Sequence, residues 1–181
     1  MRLLEELLRE RKDAAGAVPV QVVTAQTWVK AQASFSAAEA NWAKSHGFEP
    51  GSGRHLVVPD AEGGIASVLA GPRGDGPADP FDIGSLARAL PAGLYRLEGE
   101  IADARLAALG WCLESYRFFG KAPSLASLVC PEGVDRREVL RAAEAVWMVR
   151  DLINTSAAEL GPDELEAAIR KVARRFGAKL R

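Results

Sequence analysis

Two rhythms of apolar residues alternate along the chain. Short β-branched runs at 19–25 (PVQVVTA), 55–59 (HLVVP), 65–70 (IASVLA), 94–97 and 124–130 (SLASLVC) read as strands. Longer stretches carry apolar residues at helical spacing. The first opens at the amino terminus and runs to about Lys12. The next starts near Thr27, with Trp28, Ala31 and Phe35 on one face, and a second at 37–44 carries Trp42 and stops near Gly47. A helix at 83–90 is halted by Pro91. Another at 103–118 turns Leu106, Leu109, Leu113 and Tyr116 inward. The glycine-containing connection at 60–64 suits a hairpin between its flanking strands.

The last two helices have the clearest boundaries. Asp135 can cap free backbone donors, and Glu138 stands where a capping box needs it. From there Val139, Ala143, Val146, Arg150 and Ile153 trace one stripe to about Asn154. Pro162 at a first helical position, with Asp163 and Glu164 behind it, opens the final helix. Leu165, Ile169, Val172 and Phe176 form its predicted buried stripe, and Gly177 ends it. Alternating strands and helices imply an α/β fold, and strands close in sequence imply a mixed sheet. The one domain boundary falls at 155–161.

Composition narrows the function classes. Of 181 residues, 48% are hydrophobic, enough for a packed core without staples. A net charge of -1 gives no general attraction to nucleic acid or membrane. No run of about 20 apolar residues could span a bilayer, and Glu5 and Glu6 are too early for a signal peptide. Two cysteines, Cys112 and Cys130, are too few for a disulfide framework, so a reduced cytosolic protein is expected.

Candidate chemistry is sparse. His46 and His55 lack a companion at metal-ligand spacing. Cys112 and Cys130 lack a basic neighbour at a helix start. The glycine-rich segment 71–76 could cradle a phosphate, but Asp75 and Asp79 oppose an anion. Trp28, Trp42, Trp111 and Trp147 sit on helical faces and read as packing anchors. Glu114 and Arg117 read as an ordinary helix ion pair. Six basic residues between Arg170 and Arg181 read as the cationic end of a helix rather than a nucleic-acid patch.

Arg150-Asp151-Leu152-Ile153-Asn154-Thr155, followed by Gly161-Pro162-Asp163-Glu164-Leu165, resembles the segment that joins the two domains of leucyl (cytosol) aminopeptidases. Trp111 to Phe118 and Leu128 to Asp135 are similar to the family stretches that precede it. Ser156 replaces the family's usual proline. The resemblance implies a three-layer α/β/α sandwich with a mixed sheet, like a macro domain. It assigns 1–150 to an amino-terminal domain and 151–181 to the linker's end and the first helix of a truncated catalytic domain. It implies a cytoplasmic parent enzyme that removes amino-terminal residues from peptides. The parent would use two divalent metal ions, zinc or manganese, held by the catalytic domain.

Neither of the family's ligand segments occurs here. Asn154-Thr155-Ser156 offers a hydroxyl where an acid is needed, and Gly120-Lys121 continues as Ala122-Pro123. No catalytic, cofactor-binding or metal residue is therefore expected in this chain. The implied partners are the catalytic domain and other copies in a family hexamer, with no membrane or nucleic acid. Helix 162–176 is expected to pack back on the domain or on a second copy. The alternative is a free-standing macro-like module that binds ADP-ribose or nucleic acid.

Overall fold

The computed structural model describes residues 2–74, 79–119 and 125–180. Six strands form one mixed sheet: β1 (Leu8–Arg9), β2 (Val18–Val22), β3 (Arg54–Pro59), β4 (Ile65–Gly71), β5 (Gly93–Gly99) and β6 (Ala126–Val129). Their order is β1-β6-β5-β2-β4-β3. All neighbours are parallel except the β3–β4 hairpin. Helices lie on both sides, which makes the fold α/β.

Strand alternation sorts the core into two clusters. Val20, Val22, Val68, Ala70, Tyr95 and Leu128 face the larger one. It is closed by α1 (Arg2–Leu7), α4 (Pro80–Gly84), α5 (Leu86–Ala89), α6 (Ala104–Glu114) and α7 (Arg136–Asn154). Val23, Leu69 and Val58 face the smaller cluster. There α2 (Trp28–Gln32) and α3 (Ala37–Ser45) bring Trp28, Ala31 and Ala43, with Phe35 and Phe48 beside them. Trp28 meets Phe48 at 5.3 Å and Phe35 at 5.7 Å between ring centroids. Each fully buried aliphatic side chain in such a core stabilises by roughly 1.5–3 kcal/mol.

Several boundaries differ from the sequence expectations. The amino-terminal helix ends at Leu7 rather than near Lys12. Leu8 and Arg9 instead pair with β6, and a 3-10 turn follows at Arg11–Ala14. Arg136 explains the early stop: its guanidinium donates to the Leu8 carbonyl at 2.6 Å and to that of Glu5 at 3.1 Å. Those carbonyls would otherwise lack partners where the helix ends. The expected helix at 83–90 begins at Pro80, because Asp79 caps the Phe81 N–H at 2.8 Å, and it divides at Ser85. The expected helix at 103–118 ends at Glu114, where the Ser115 hydroxyl donates back to the Trp111 carbonyl at 2.9 Å.

Trp111 is fully buried, and its indole N–H donates to the Ala126 carbonyl at 2.7 Å. That bond ties α6 to β6 and satisfies the buried indole donor.

Candidate functional site: the joint between the sandwich and its last two helices

The candidate chemical groups are dispersed. His46 turns a ring nitrogen to the Trp42 carbonyl at 2.9 Å and lies 4.1 Å from the Trp42 ring. His55 stands on edge strand β3, where burial lowers its pKa. Burial pushes the Cys112 thiol up to about 12 and raises that of Cys130 as well. Burial of this kind disfavours the thiolate, the reactive and metal-binding form. Among the described residues, no three His, Cys, Asp or Glu side chains gather as a metal ion requires.

Two backbone donors of the glycine-rich segment are engaged. The Arg73 N–H donates to Asp82 at 3.1 Å, its guanidinium lies 3.4 Å from the same carboxylate, and the Gly74 N–H donates to the Gly51 carbonyl. Asp75 and Gly76 lie outside the described residues, as do Gly120 to Pro123. Glu114 pairs with Arg88 of α5 at 3.5 Å, not with Arg117 as expected, and Arg117 donates to the Tyr116 carbonyl. Trp28, Trp111 and Trp147 pack inward. Trp42 is partly exposed and donates to the Val57 carbonyl on β3 at 3.1 Å. The basic tail is partly neutralised, with Arg170 paired to Glu166 and Arg175 to Glu144.

Residues of two family-like segments, 111–118 and 150–155, do meet. They meet where α6 ends against the last turns of α7. The final carbonyls of α6 have few intrahelical donors and carry the negative end of its dipole. Trp147 of α7 donates to the Cys112 carbonyl at 3.1 Å, and Arg150 donates to that of Leu113 at 2.7 Å. The Tyr116 hydroxyl donates to Asp151 at 2.8 Å and accepts from the Asn154 amide at 3.2 Å. The guanidinium of Arg150 stands 5.4 Å from the centre of the Tyr116 ring. Desolvation raises the Tyr116 pKa, and the Asp151 carboxylate adds to this against the Asn154 amide. Thr155 then closes α7, its N–H and hydroxyl both bonding the Asp151 carbonyl.

A short loop leads on to α8 (Pro162–Phe176). Ser156 replaces the rigidity of a proline with hydrogen bonds. Its hydroxyl accepts from the Ala158 N–H at 3.2 Å, and its carbonyl accepts from Glu159 and Leu160. Glu164 accepts from the Gly161 N–H at 2.9 Å, and Gly177 ends the helix at φ +65°.

The expected burial of α8 is corrected here. Ala173 is buried and Val172 half-buried, while Leu165, Ile169 and Phe176 are exposed, Phe176 to 64%. Ile153, expected within the stripe of α7, is 75% exposed, and Val149 is exposed beside it. The helix is held instead by Arg175, whose two guanidinium nitrogens donate to Glu144 of α7 at 2.7 and 2.8 Å. Among the described residues, nothing fully covers this stripe.

The fold and this joint define an α/β domain followed by a last helix, α8, whose apolar stripe is exposed. The sequence profile of the M17 aminopeptidase N-terminal domain matches residues 18–131. The chain therefore belongs to the M17 aminopeptidase family, as its N-terminal domain. Among solved structures, it is similar to the cytosol aminopeptidase of Coxiella burnetii, at 29% identity and a TM-score of 0.83. That match covers 96% of this chain, which spans 38% of that protein's length. The bottromycin maturation enzyme BotP shares the fold at 24% identity and a TM-score of 0.65, over 90% of this chain and 38% of its own. A manganese complex of BotP matches at 25% identity and a TM-score of 0.62, over 88% of this chain and 36% of its own. No curated protein matches the chain by sequence.

Proposed function

We propose that this chain is the non-catalytic amino-terminal domain of a cytoplasmic, metal-dependent leucyl aminopeptidase, and that it serves assembly or shields the active-site entrance. Residues 1–150 form the domain, and 151–181 form the end of a linker and the first helix of the catalytic half. The observation that carries this reading is the exposed apolar stripe of α7 and α8, with Ile153, Leu165, Ile169 and Phe176. Apolar surface of this kind marks a missing partner. A catalytic half would cover it, joined in a hexamer by other copies. The matched aminopeptidase has the length for such a half, since this chain spans 38% of it.

The parent enzyme removes amino-terminal residues from peptides with two divalent ions, zinc or manganese. The catalytic half would hold those ions, through carboxylates of the kind a hard divalent ion takes. No helix of the described residues is long and apolar enough to cross a membrane.

The test is to read the gene past Arg181 and express its complete product. That product should hydrolyse a leucyl amide only with added metal, while the 181-residue chain releases nothing with manganese or zinc. Turnover by the pure 181-residue chain overturns the reading. So does a complete product that lacks metal-dependent hydrolysis.

A further inference from the structure

The carboxyl ends of β2 and β5 lie side by side, with Val22 opposite Gly99. The chain leaves them toward opposite faces of the sheet. After β2 it enters α2, which packs on the smaller core cluster, and after β5 it enters α6, which packs on the larger one. In open α/β sheets, diverging connections of this kind leave a crevice beyond the strand ends, where ligands bind. Here it is a cleft of about 390 Å³, within the range of small-molecule sites.

Its floor is the end of β2 from Gln21 to Val23, closed by Gly99. A side chain could not replace that glycine. Its φ is +99°, and a Cβ would stand 2.5 Å from the Val22 carbonyl oxygen. The two strand ends can approach so closely only with glycine there.

The walls carry opposite charge. Lys30 of α2 and Ser34 just beyond it form one wall, and Glu98 and Glu100 at the end of β5 form the other. Glu98 pairs with Arg96 at 2.8 Å. No ion pair or hydrogen bond to a described residue engages the side chain of Lys30 or Glu100. The cleft is thus lined by an unpaired ammonium group and an unpaired carboxylate, and by Gln21.

We propose that this cleft binds a small zwitterion of the α-amino acid class, its carboxylate toward Lys30 and its ammonium toward Glu98 and Glu100. Ligand charges of this arrangement match both walls at once, and a ligand with one charge matches only one. The ligand class follows from the charges of the cleft and does not rest on the aminopeptidase reading.

The probe is L-leucine, titrated into the isotope-labelled 181-residue chain and followed by backbone amide shifts. Saturable shifts should concentrate at residues 21–23, 27–34 and 98–100. Leucinamide lacks the carboxylate and N-acetyl-leucine lacks the ammonium. Each should bind about tenfold more weakly, the scale of one lost charged hydrogen bond. Lys30→Gln should weaken leucine as much as leucinamide is weakened, and Glu100→Gln should act through the ammonium. Both positions are exposed, so neither variant disturbs the core. Absence of saturable shifts in these residues overturns the proposal, as does leucinamide binding equal to that of leucine. Leucyl-amide hydrolysis by the complete gene product is a separate measurement, so its failure and this one are told apart.

Discussion

Trp147 of α7 donates its indole N–H to the main-chain carbonyl of Cys112, 3.1 Å away at the end of α6. One turn further along α7, Arg150 reaches the next carbonyl, that of Leu113, at 2.7 Å. One helix therefore caps another from the side, and the last turns of α7 are fixed against the sandwich. Trp147→Phe keeps most of the ring packing and removes the donor. It should cost about 1–2 kcal/mol, because a partly buried carbonyl loses its partner. Arg150→Met should cost a similar amount. The pair should couple in a double-variant cycle, since both bonds hold the same helix end. Urea denaturation with unchanged slope measures each term, and strictly additive losses would show that the two bonds do not act as one cap.

Helices α4 and α6 cross at a pair of glycines. A Cβ on Gly84 would lie 2.5 Å from the Gly110 carbonyl carbon and 2.8 Å from its Cα. Both contacts are with backbone, which cannot turn aside. Gly84→Ala should therefore cost about 1–3 kcal/mol through overpacking, and lower the melting temperature by roughly 2–4 °C per kcal/mol. On Gly110 a Cβ would meet the Phe81 ring at 3.2 Å and Gly84 at 3.4 Å. Phe81 is half exposed and can shift, so Gly110→Ala should be the milder variant. Thermal denaturation of the two variants side by side checks the order.

Burial of the Cys112 thiol has a pH signature. An ordinary thiol of this kind ionises at 9.0, and the folded protein raises that to about 12. Below pH 9 the thiol is neutral whether the chain is folded or not, and its contribution to stability is complete. As pH rises from 9 toward 12, the unfolded chain releases a proton that the folded chain retains, and stability falls. Cys130 shifts in the same direction. Cys112→Ala should flatten the alkaline decline seen by urea denaturation between pH 8 and 10 (about one unit either side of the unfolded thiol). Neither thiol should react with a disulfide reagent at pH 8 until the protein unfolds.

Much of this architecture was legible in the sequence, and the misses share a cause. The start of α7 was readable because Asp135 bonds the N–H groups of its own first turn. Strands β3 and β4 were readable because a hairpin joins neighbours in sequence. Strand β1 was not, because two residues carry no periodicity and their partner, β6, lies some 120 positions away. Ile153 continued the apolar spacing of α7, but spacing cannot say whether the covering partner lies within the chain. The joint was visible only as two family-like segments, since the bond from Trp147 to Cys112 spans 35 positions. Lys30 and Glu100 gave no signal at all. Only the placement of β5 next to β2 in the sheet brings them to one cleft.

The stripe on α8 gives the sharpest test of what covers it. Leu165 and Ile169 are exposed, while Ala173 one turn on is buried. Leu165→Ser with Ile169→Ser replaces two apolar side chains that are 43% and 48% exposed. The stability of the chain should then stay within about 0.5 kcal/mol of the parent, as exposed substitutions do. Association should change instead. The parent chain should show a light-scattering mass that rises with concentration, because the exposed stripe pairs with another copy. The double variant should remain a monomer over the same range. A loss of several kcal/mol would mean that α8 folds its stripe onto its own domain, since burying a hydroxyl without a partner carries a penalty of that kind. Equal masses for parent and variant would mean that the stripe is not an interface.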